Sequence, residues 1–327
     1  MHRSSPNSRL LTTTLLASAF AACLAAPAAR AAGGADQGTL IHPITKPLTV
    51  IFVPKVIHPW YEVVKAGSEF AAAEYKKQGI TVNVIWDQPP QADVTDQNAR
   101  IETDITRHPD GLVVSCLDPA TNNRVLDEAV KAGINVSTFN SYCAERFPFV
   151  GQKDSYQDGY DLAEYLAKAI GDKGNVGILS GSLTAPDHIR RIQGFKAAMI
   201  KHPNVNIVFE QPDNDDLDKA VQITENELQA VPDLVGIFGC NASNPIGAAR
   251  AVQNAGKAGK VKIVGLDDLP ETIQFIKDGV ITATMAQRQW EQGYWSVVYA
   301  VAKNQGHTIP MDHETGSRLI TKTDLTN

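Results

Sequence analysis

From residue 48 onward the chain alternates short, almost continuously apolar runs with longer amphipathic stretches, nine times over. The short runs fall at 48–53, 81–86, 111–115, 135–139, 175–179, 205–209, 234–238, 262–266 and 281–285, and most are rich in Val and Ile. A strand with water on one face alternates apolar and polar side chains. A run that is apolar throughout is covered on both faces, as in a parallel sheet. Between the runs, residues 60–78, 93–107, 121–132, 155–170, 188–201, 218–231, 244–255, 270–277 and 290–304 repeat apolar positions at helical spacing. In the first of these the positions are Tyr61, Val64, Gly67, Phe70 and Ala71. Gly79, Gly133, Gly256 and Gly279 follow helical patterns, where a left-handed C-terminal cap favours glycine. Repeated βα steps predict an α/β fold with parallel sheets flanked by helices. Nine strands are many for one sheet, and 327 residues is about the length of two domains. Two smaller sheets are therefore expected, with a single (β/α)8 barrel as the alternative.

The charges exclude several partners. Formal net charge is −6, and setting aside Arg3, Arg9 and Arg30 leaves −9 for the rest. An acidic chain without basic blocks lacks the cations that displace phosphate counterions, so nucleic acid and anionic membrane surfaces are not expected partners. Those three arginines lie in a segment that reads as a secretory signal, residues 1–31. It has a basic start, an uncharged Leu/Ala/Thr-rich stretch over 10–27, and Ala29-Arg30-Ala31 as a cleavage site. The stretch is too short and Ala-rich to span a bilayer. Lipoprotein processing at Cys23 is a second reading, which Phe20 fits poorly. Export predicts a periplasmic protein, with residues 32–47 as a flexible leader. Past the signal, Cys116, Cys143 and Cys240 remain, an odd number for an oxidising compartment. Cys116 and Cys143 follow neighbouring strands, so a disulfide between them and two buried thiols both stand open. No Cys or His spacing suits a metal site, and no cofactor is expected.

Ligands of parallel α/β folds bind beyond the carboxyl ends of the strands, so the loops after each run carry the information. They read Pro54-Lys55-Val56-Ile57-His58-Pro59-Trp60-Tyr61, Trp86-Asp87-Gln88, Cys116-Leu117-Asp118 and Asn140-Ser141-Tyr142 in the first half. The second half reads Ser180-Gly181-Ser182, Gln211-Pro212-Asp213-Asn214-Asp215, Asn241-Ala242-Ser243-Asn244, Asp267-Asp268 and Gln287-Arg288-Gln289-Trp290. Nucleophile elbows, zinc-protease pairs and phosphate-cradling glycine loops are missing from the sequence. Carboxylates, amides and aromatic rings suit a polyhydroxyl ligand: planar groups bond adjacent hydroxyls, and a ring face covers the C–H side of a sugar.

Ordered segments along the chain then carry a resemblance. They include Pro59-Trp60-Tyr61-Glu62, Pro109-Asp110-Gly111-Leu112, Ala132-Gly133-Ile134-Asn135-Val136, Val150-Gly151-Gln152-Lys153-Asp154, Arg191-Ile192-Gln193-Gly194-Phe195, Val264-Gly265-Leu266-Asp267-Asp268 and Ala283-Thr284-Met285-Ala286-Gln287. From about residue 48 to its end the chain resembles the ribose-binding-like, type I periplasmic sugar-binding proteins of bacterial ABC importers. The resemblance implies two Rossmann-like lobes joined by three hinge crossings, near 151–154, 286–288 and 314–317. The lobes would be 48–152 with 287–315, and 153–286 with 316–327. It implies ligand contacts as well. Trp60 and Tyr61 stand at an aromatic pair that sandwiches the sugar, Asn241, Asp267 and Gln287 at hydroxyl-bonding positions, and His58 at a polar first-loop position. Asn140-Ser141 replace an Asp-Arg pair, and Ile189, flanked by His188 and Arg190, replaces an arginine. His188, Arg190 and Asn140 complete the candidate set. Losing two charged hydrogen-bonders points away from ribose itself toward another sugar, a polyol or a related small polar solute.

Three functions compete. The first is a monomeric binding protein that closes on its ligand and is read by an importer permease, or by a chemoreceptor, with a furanone-type quorum signal as a ligand variant. The second is an exported carbohydrate-active enzyme, which needs paired carboxylates or an activated nucleophile; the adjacent Asp267 and Asp268 point apart. The third is the effector half of a sugar-responsive repressor, against which the export signal and the missing basic reading head both count. The sequence therefore supports a non-enzymatic solute-binding protein.

Overall fold

The computed structural model describes residues 42–325. The signal segment, Cys23 and residues 32–41 of the leader lie outside the described residues. The described leader residues are held rather than loose: His42 N donates to Gln305 O at 2.7 Å, Lys46 pairs with Asp110 at 3.1 Å, and Ile44 packs on the core.

Two six-stranded sheets form. The first takes β1 (Leu48–Val53), β2 (Val82–Trp86), β3 (Gly111–Val114), β4 (Asn135–Phe139), β5 (Phe149–Gly151) and β11 (Asp312–Glu314). The second takes β6 (Gly174–Leu179), β7 (Val205–Gln211), β8 (Leu234–Gly239), β9 (Lys262–Leu266), β10 (Ala283–Gln287) and β12 (Ser317–Thr321). Their orders are β11-β5-β4-β3-β1-β2 and β12-β10-β9-β8-β6-β7, so the same winding occurs twice. Every pairing is parallel except β10 with β12. The expected architecture of two α/β lobes is what the chain adopts.

Nine helices among the described residues alternate with the strands: α1 (Pro59–Lys77), α2 (Val94–Thr106), α3 (Pro119–Lys131), α4 (Ser155–Ile170), α5 (Pro186–Met199), α6 (Leu217–Ala230), α7 (Ser243–Asn254), α8 (Pro270–Lys277) and α9 (Gln289–Asn304). Helix starts are marked by caps. The side chains of Asp93, Asp118, Asp154 and Asp216 each accept from a first-turn N–H. Burial then fixes the layers. Val50, Ile51, Phe52 and Val53 of β1 are all fully buried, as are Ile178, Phe238 and Val264 in the second sheet. Each such side chain contributes about 1.5–3 kcal/mol.

Three strands escaped the sequence pattern. β5 and β11 have three residues each, β11 is Asp-His-Glu, and β12 runs antiparallel at an edge. None is long or apolar enough to show a period. They flank two of the segments where the chain leaves one sheet for the other, between β5 and α4 and between β11 and β12; the third lies between β10 and α9. The open question about the thiols is answered: Cys116 and Cys143 form a disulfide, with Cα atoms 5.5 Å apart, and Cys240 stays free and buried.

Candidate functional site

The carboxyl ends of both sheets face one cleft, lined by Lys55, Val56, His58, Trp60, Tyr61, Asn140, Asp187, His188, Arg191, Asp215, Asn241, Ala242, Asp267 and Gln287. The first six come from the first lobe. The rest lie on α5 or at the ends of β7 to β10. Three cleft residues, Asn140 (φ 58°), Asp215 (φ 60°) and Asp267 (φ 70°), hold left-handed backbone that non-glycine residues avoid. Each such position costs about 1–3 kcal/mol and persists where the surroundings impose it, which concentrates such strain at functional sites.

Direct bonds cross the cleft. Trp60 Nε1 donates to Asp267 Oδ1 at 2.7 Å, His58 Nε2 lies 2.9 Å from Ser243 Oγ, and Thr184 Oγ1 donates to Leu117 O at 2.8 Å. Lys55 Nζ reaches both Asp187 oxygens at 3.1 and 3.2 Å and lies 3.2 Å from His188 Nε2. The free space the cleft encloses is only about 30 Å³, room for about two waters.

Burial sets the electrostatics. It works to raise the Asp187 carboxyl, yet the Lys55 ammonium above all, with His188 and Arg191, holds that group well below the usual carboxylate range. Asp187 also stands in the first turn of α5, where helix N–H groups favour an anion. Burial and the Lys55 charge push His188 down to about 4, so its imidazole is neutral. Burial lifts Asp267 to about 7 despite Arg191 and the bonds from Trp60 and Gln287. Burial likewise moves Tyr61 up to about 12, which keeps its hydroxyl protonated, and that hydroxyl donates to Asn140 Oδ1 at 3.2 Å. Ser115 Oγ donates to the same oxygen at 3.0 Å.

Of the nine sequence candidates, Trp60, Tyr61, His58, Asn140, Asn241, Asp267, Gln287 and His188 line this cleft. His58 also caps α1, its Nδ1 accepting from Trp60 N at 3.1 Å. Gln287 Nε2 donates to Asp267 Oδ1 at 2.9 Å. Asn241 Nδ2 donates to Asp215 Oδ1 at 2.8 Å while its Oδ1 accepts from Asn244 N. Arg190 is elsewhere: it is exposed, with its guanidinium 5.0 Å from the Tyr156 ring centre. Its neighbour Arg191 faces the cleft, 2% exposed, and donates through Nη1 to Asp187 at 3.3 Å and to Cys240 O at 3.1 Å. The helical period settles this. Phe195, Arg191, His188 and Asp187 share the buried face of α5, and residue 190 falls off it.

Lys55, Asp187, Arg191 and Asp215 are the charged cleft residues that sequence reasoning did not nominate, beside the apolar Val56 and Ala242. Lys55 and Asp215 stood in the right loops, but a loop lysine or aspartate ordinarily reads as solvated. For Arg191 the signal was the α5 stripe. A close crossing seats that helix: a Cβ at Gly159 would run into the Arg191 carbonyl oxygen, and one at Gly194 into that of Tyr156.

A family profile for the periplasmic binding protein domain matches residues 49–308. The D-ribose/D-allose-binding protein of Pseudomonas aeruginosa is 30% identical over 243 residues, 72% of this chain and 75% of that one. The D-allose-binding periplasmic protein of Escherichia coli is 31% identical over 197 residues, which span 60% of each chain. Among solved structures, a solute-binding protein of an ABC transporter from Burkholderia graminis, in complex with D-arabinose, superposes with a TM-score of 0.81. It is 31% identical, and the match covers 88% of this chain and 99% of that one. By sequence profile, relatives and fold alike, the chain belongs to the ribose-binding-like periplasmic binding protein family.

Proposed function

We propose that this protein captures a small sugar or sugar-like polyol between its lobes, closes over it, and delivers it to the membrane permease of an ABC importer. The observation that carries the reading is the composition of the cleft. The Trp60–Tyr61 corner offers an apolar face, while Asn140, Asn241, Asp267, Gln287 and Arg191 surround it with planar hydrogen-bonding groups. Relatives named for ribose and allose, and a neighbour holding D-arabinose, support the same ligand class. Removal of residues 1–31 on export would place the protein in the periplasm.

With about 30 Å³ inside, a sugar enters only when the lobes part. The moving bodies are then 48–152 with 287–315, and 153–286 with 316–327. Their hinges are the three segments between the sheets, and closure needs only that the ligand prefer the closed arrangement. Binding without turnover fits the carboxylates present. Asp187 is committed to Lys55 and Arg191, and Asp268 accepts from Gln289 at 2.9 Å rather than joining Asp267.

Thermal melting of the purified protein against pentoses, hexoses, ketoses and alditols tests the proposal. A ligand at 1,000 times its dissociation constant adds about 4 kcal/mol of stability. One sugar or polyol should raise the midpoint by several degrees. A melt that no member of the panel moves would overturn the ligand assignment, and release of a cleaved product would overturn the non-enzymatic reading.

A further inference from the structure

Taking the cleft as a sugar site, we infer that Asp215 is its specificity-determining residue: it demands a hydroxyl on the ligand edge that faces the second lobe, so the ligand is a sugar or alditol unmodified there. The loop after β7 holds Asn214 (φ 57°) and Asp215 (φ 60°) in consecutive left-handed conformations. They are pinned by Asn214 N on Gly181 O at 3.1 Å, Asp215 N on Asp213 Oδ1 at 3.1 Å, and Ser243 Oγ on Asp215 O at 3.2 Å. This aims the Asp215 side chain, 10% exposed, into the cleft. One of its oxygens accepts from Asn241 Nδ2 at 2.8 Å, and the other, Oδ2, is buried without a hydrogen-bond partner.

Other cleft-lining residues also carry open valences, and together these are complementary to a hydroxyl. Arg191 is fully buried, yet its Nε and Nη2 have no acceptor, and Gln287 Oε1 has no donor. The cleft thus offers two acceptor oxygens and a two-pronged donor. A hydroxyl can both donate and accept, so it satisfies both kinds of group. The large apolar rings of the cleft, Trp60 and Tyr61, are on the first lobe. The second-lobe edge of the ligand is therefore read by polar groups rather than by stacking. A site built to bond a hydroxyl rejects an analogue lacking it, because its own buried groups stay unpaired.

Calorimetric titration tests this, using aldoses, alditols and the monodeoxy and mono-O-methyl derivatives of whichever binds, against the wild-type protein, Asp215→Ala and Asp215→Asn. At one carbon position the wild type should bind the deoxy analogue about 100-fold more weakly than the parent. Asp215→Ala should bind the parent more weakly, by about 30-fold, and compress that one ratio to about threefold, leaving discrimination at the other positions. Asp215→Asn, which keeps one acceptor oxygen at nearly constant volume, should fall between them and carries the comparison if the alanine variant does not fold. An Asp215 variant that folds and keeps every parent-to-deoxy ratio overturns the assignment while the sugar-binding reading stands. A wild type that binds no sugar or alditol overturns both.

Discussion

Replacing Lys55 by Met keeps the length of the side chain and removes its ammonium. In the structure that ammonium is carried by the first lobe and gripped by Asp187 of the second, with side-chain exposures of 5% and 2%. Breaking a buried ion pair from one side costs about 3–5 kcal/mol, because the remaining charge loses its counter-ion. Arg191 Nη1 still lies 3.3 Å from Asp187, which favours the lower end, about 3 kcal/mol. Opening the cleft returns Asp187 to water, so the cost falls on closure rather than on folding. At 1.36 kcal/mol per decade, the closed-to-open ratio of the free protein should drop by about 150-fold. Spin or fluorescent labels at Ala99 on α2 and Asn226 on α6, both exposed, report the inter-lobe distance. The variant should shift that distribution to longer distances with a nearly unchanged melting midpoint. An unchanged distribution together with a melt lowered by the full amount would refute the reasoning and make the pair an ordinary folding contact.

Three further outcomes follow from the packing and charges. Burial raises the Asp158 carboxyl to about 6, where Ser317 Oγ donates to it at 2.5 Å beside the hinge. Well below pH 4 the group is protonated folded or unfolded, and above 6 the fold carries a buried charge. Wild type should thus lose about 3 kcal/mol between pH 3 and 7 that Asp158→Asn does not, as paired denaturant titrations would read; parallel pH profiles would contradict it. Replacing both Cys116 and Cys143 by Ser removes a link between residues 27 apart and should cost about 3–4 kcal/mol, measured by thermal melting against the oxidised wild type, with reduced wild type melting near the variant. Gly194→Ala forces a methyl into the Tyr156 carbonyl where α4 and α5 cross, and should cost at least about 3 kcal/mol in urea unfolding. A loss under 1 kcal/mol would mean the helices can part cheaply.

Much was legible because it depends on local periodicity. β1, β4 and β9 fall at the residues where the apolar runs stand, and α4 and α8 span the amphipathic segments to the residue. The four glycines after helices take φ between 65° and 82°. Loops after strands likewise delivered Trp60, Asn241, Asp267 and Gln287 to one cleft, since in a parallel sheet the carboxyl ends of all strands share an edge. β5, β11 and β12 were not legible. β11 finds its partner β5 across half the chain, and a three-residue strand such as β5 or β11 is stabilised by the neighbour it pairs with rather than by its own side chains.

The site separates the two levels in the same way. Patterns a few residues long carry the fold class, the lobe-forming repeat of strand and helix, and the loops that hold chemistry. Only the tertiary structure decided that Arg191 and not Arg190 enters the cleft, that Lys55 meets Asp187 from 132 residues away, and that Asp215 keeps an unpaired oxygen inside. A charged side chain is expected in water until the whole fold supplies its partner and removes the solvent. Those assignments are energies of desolvation and pairing, and they exist once both lobes are in place.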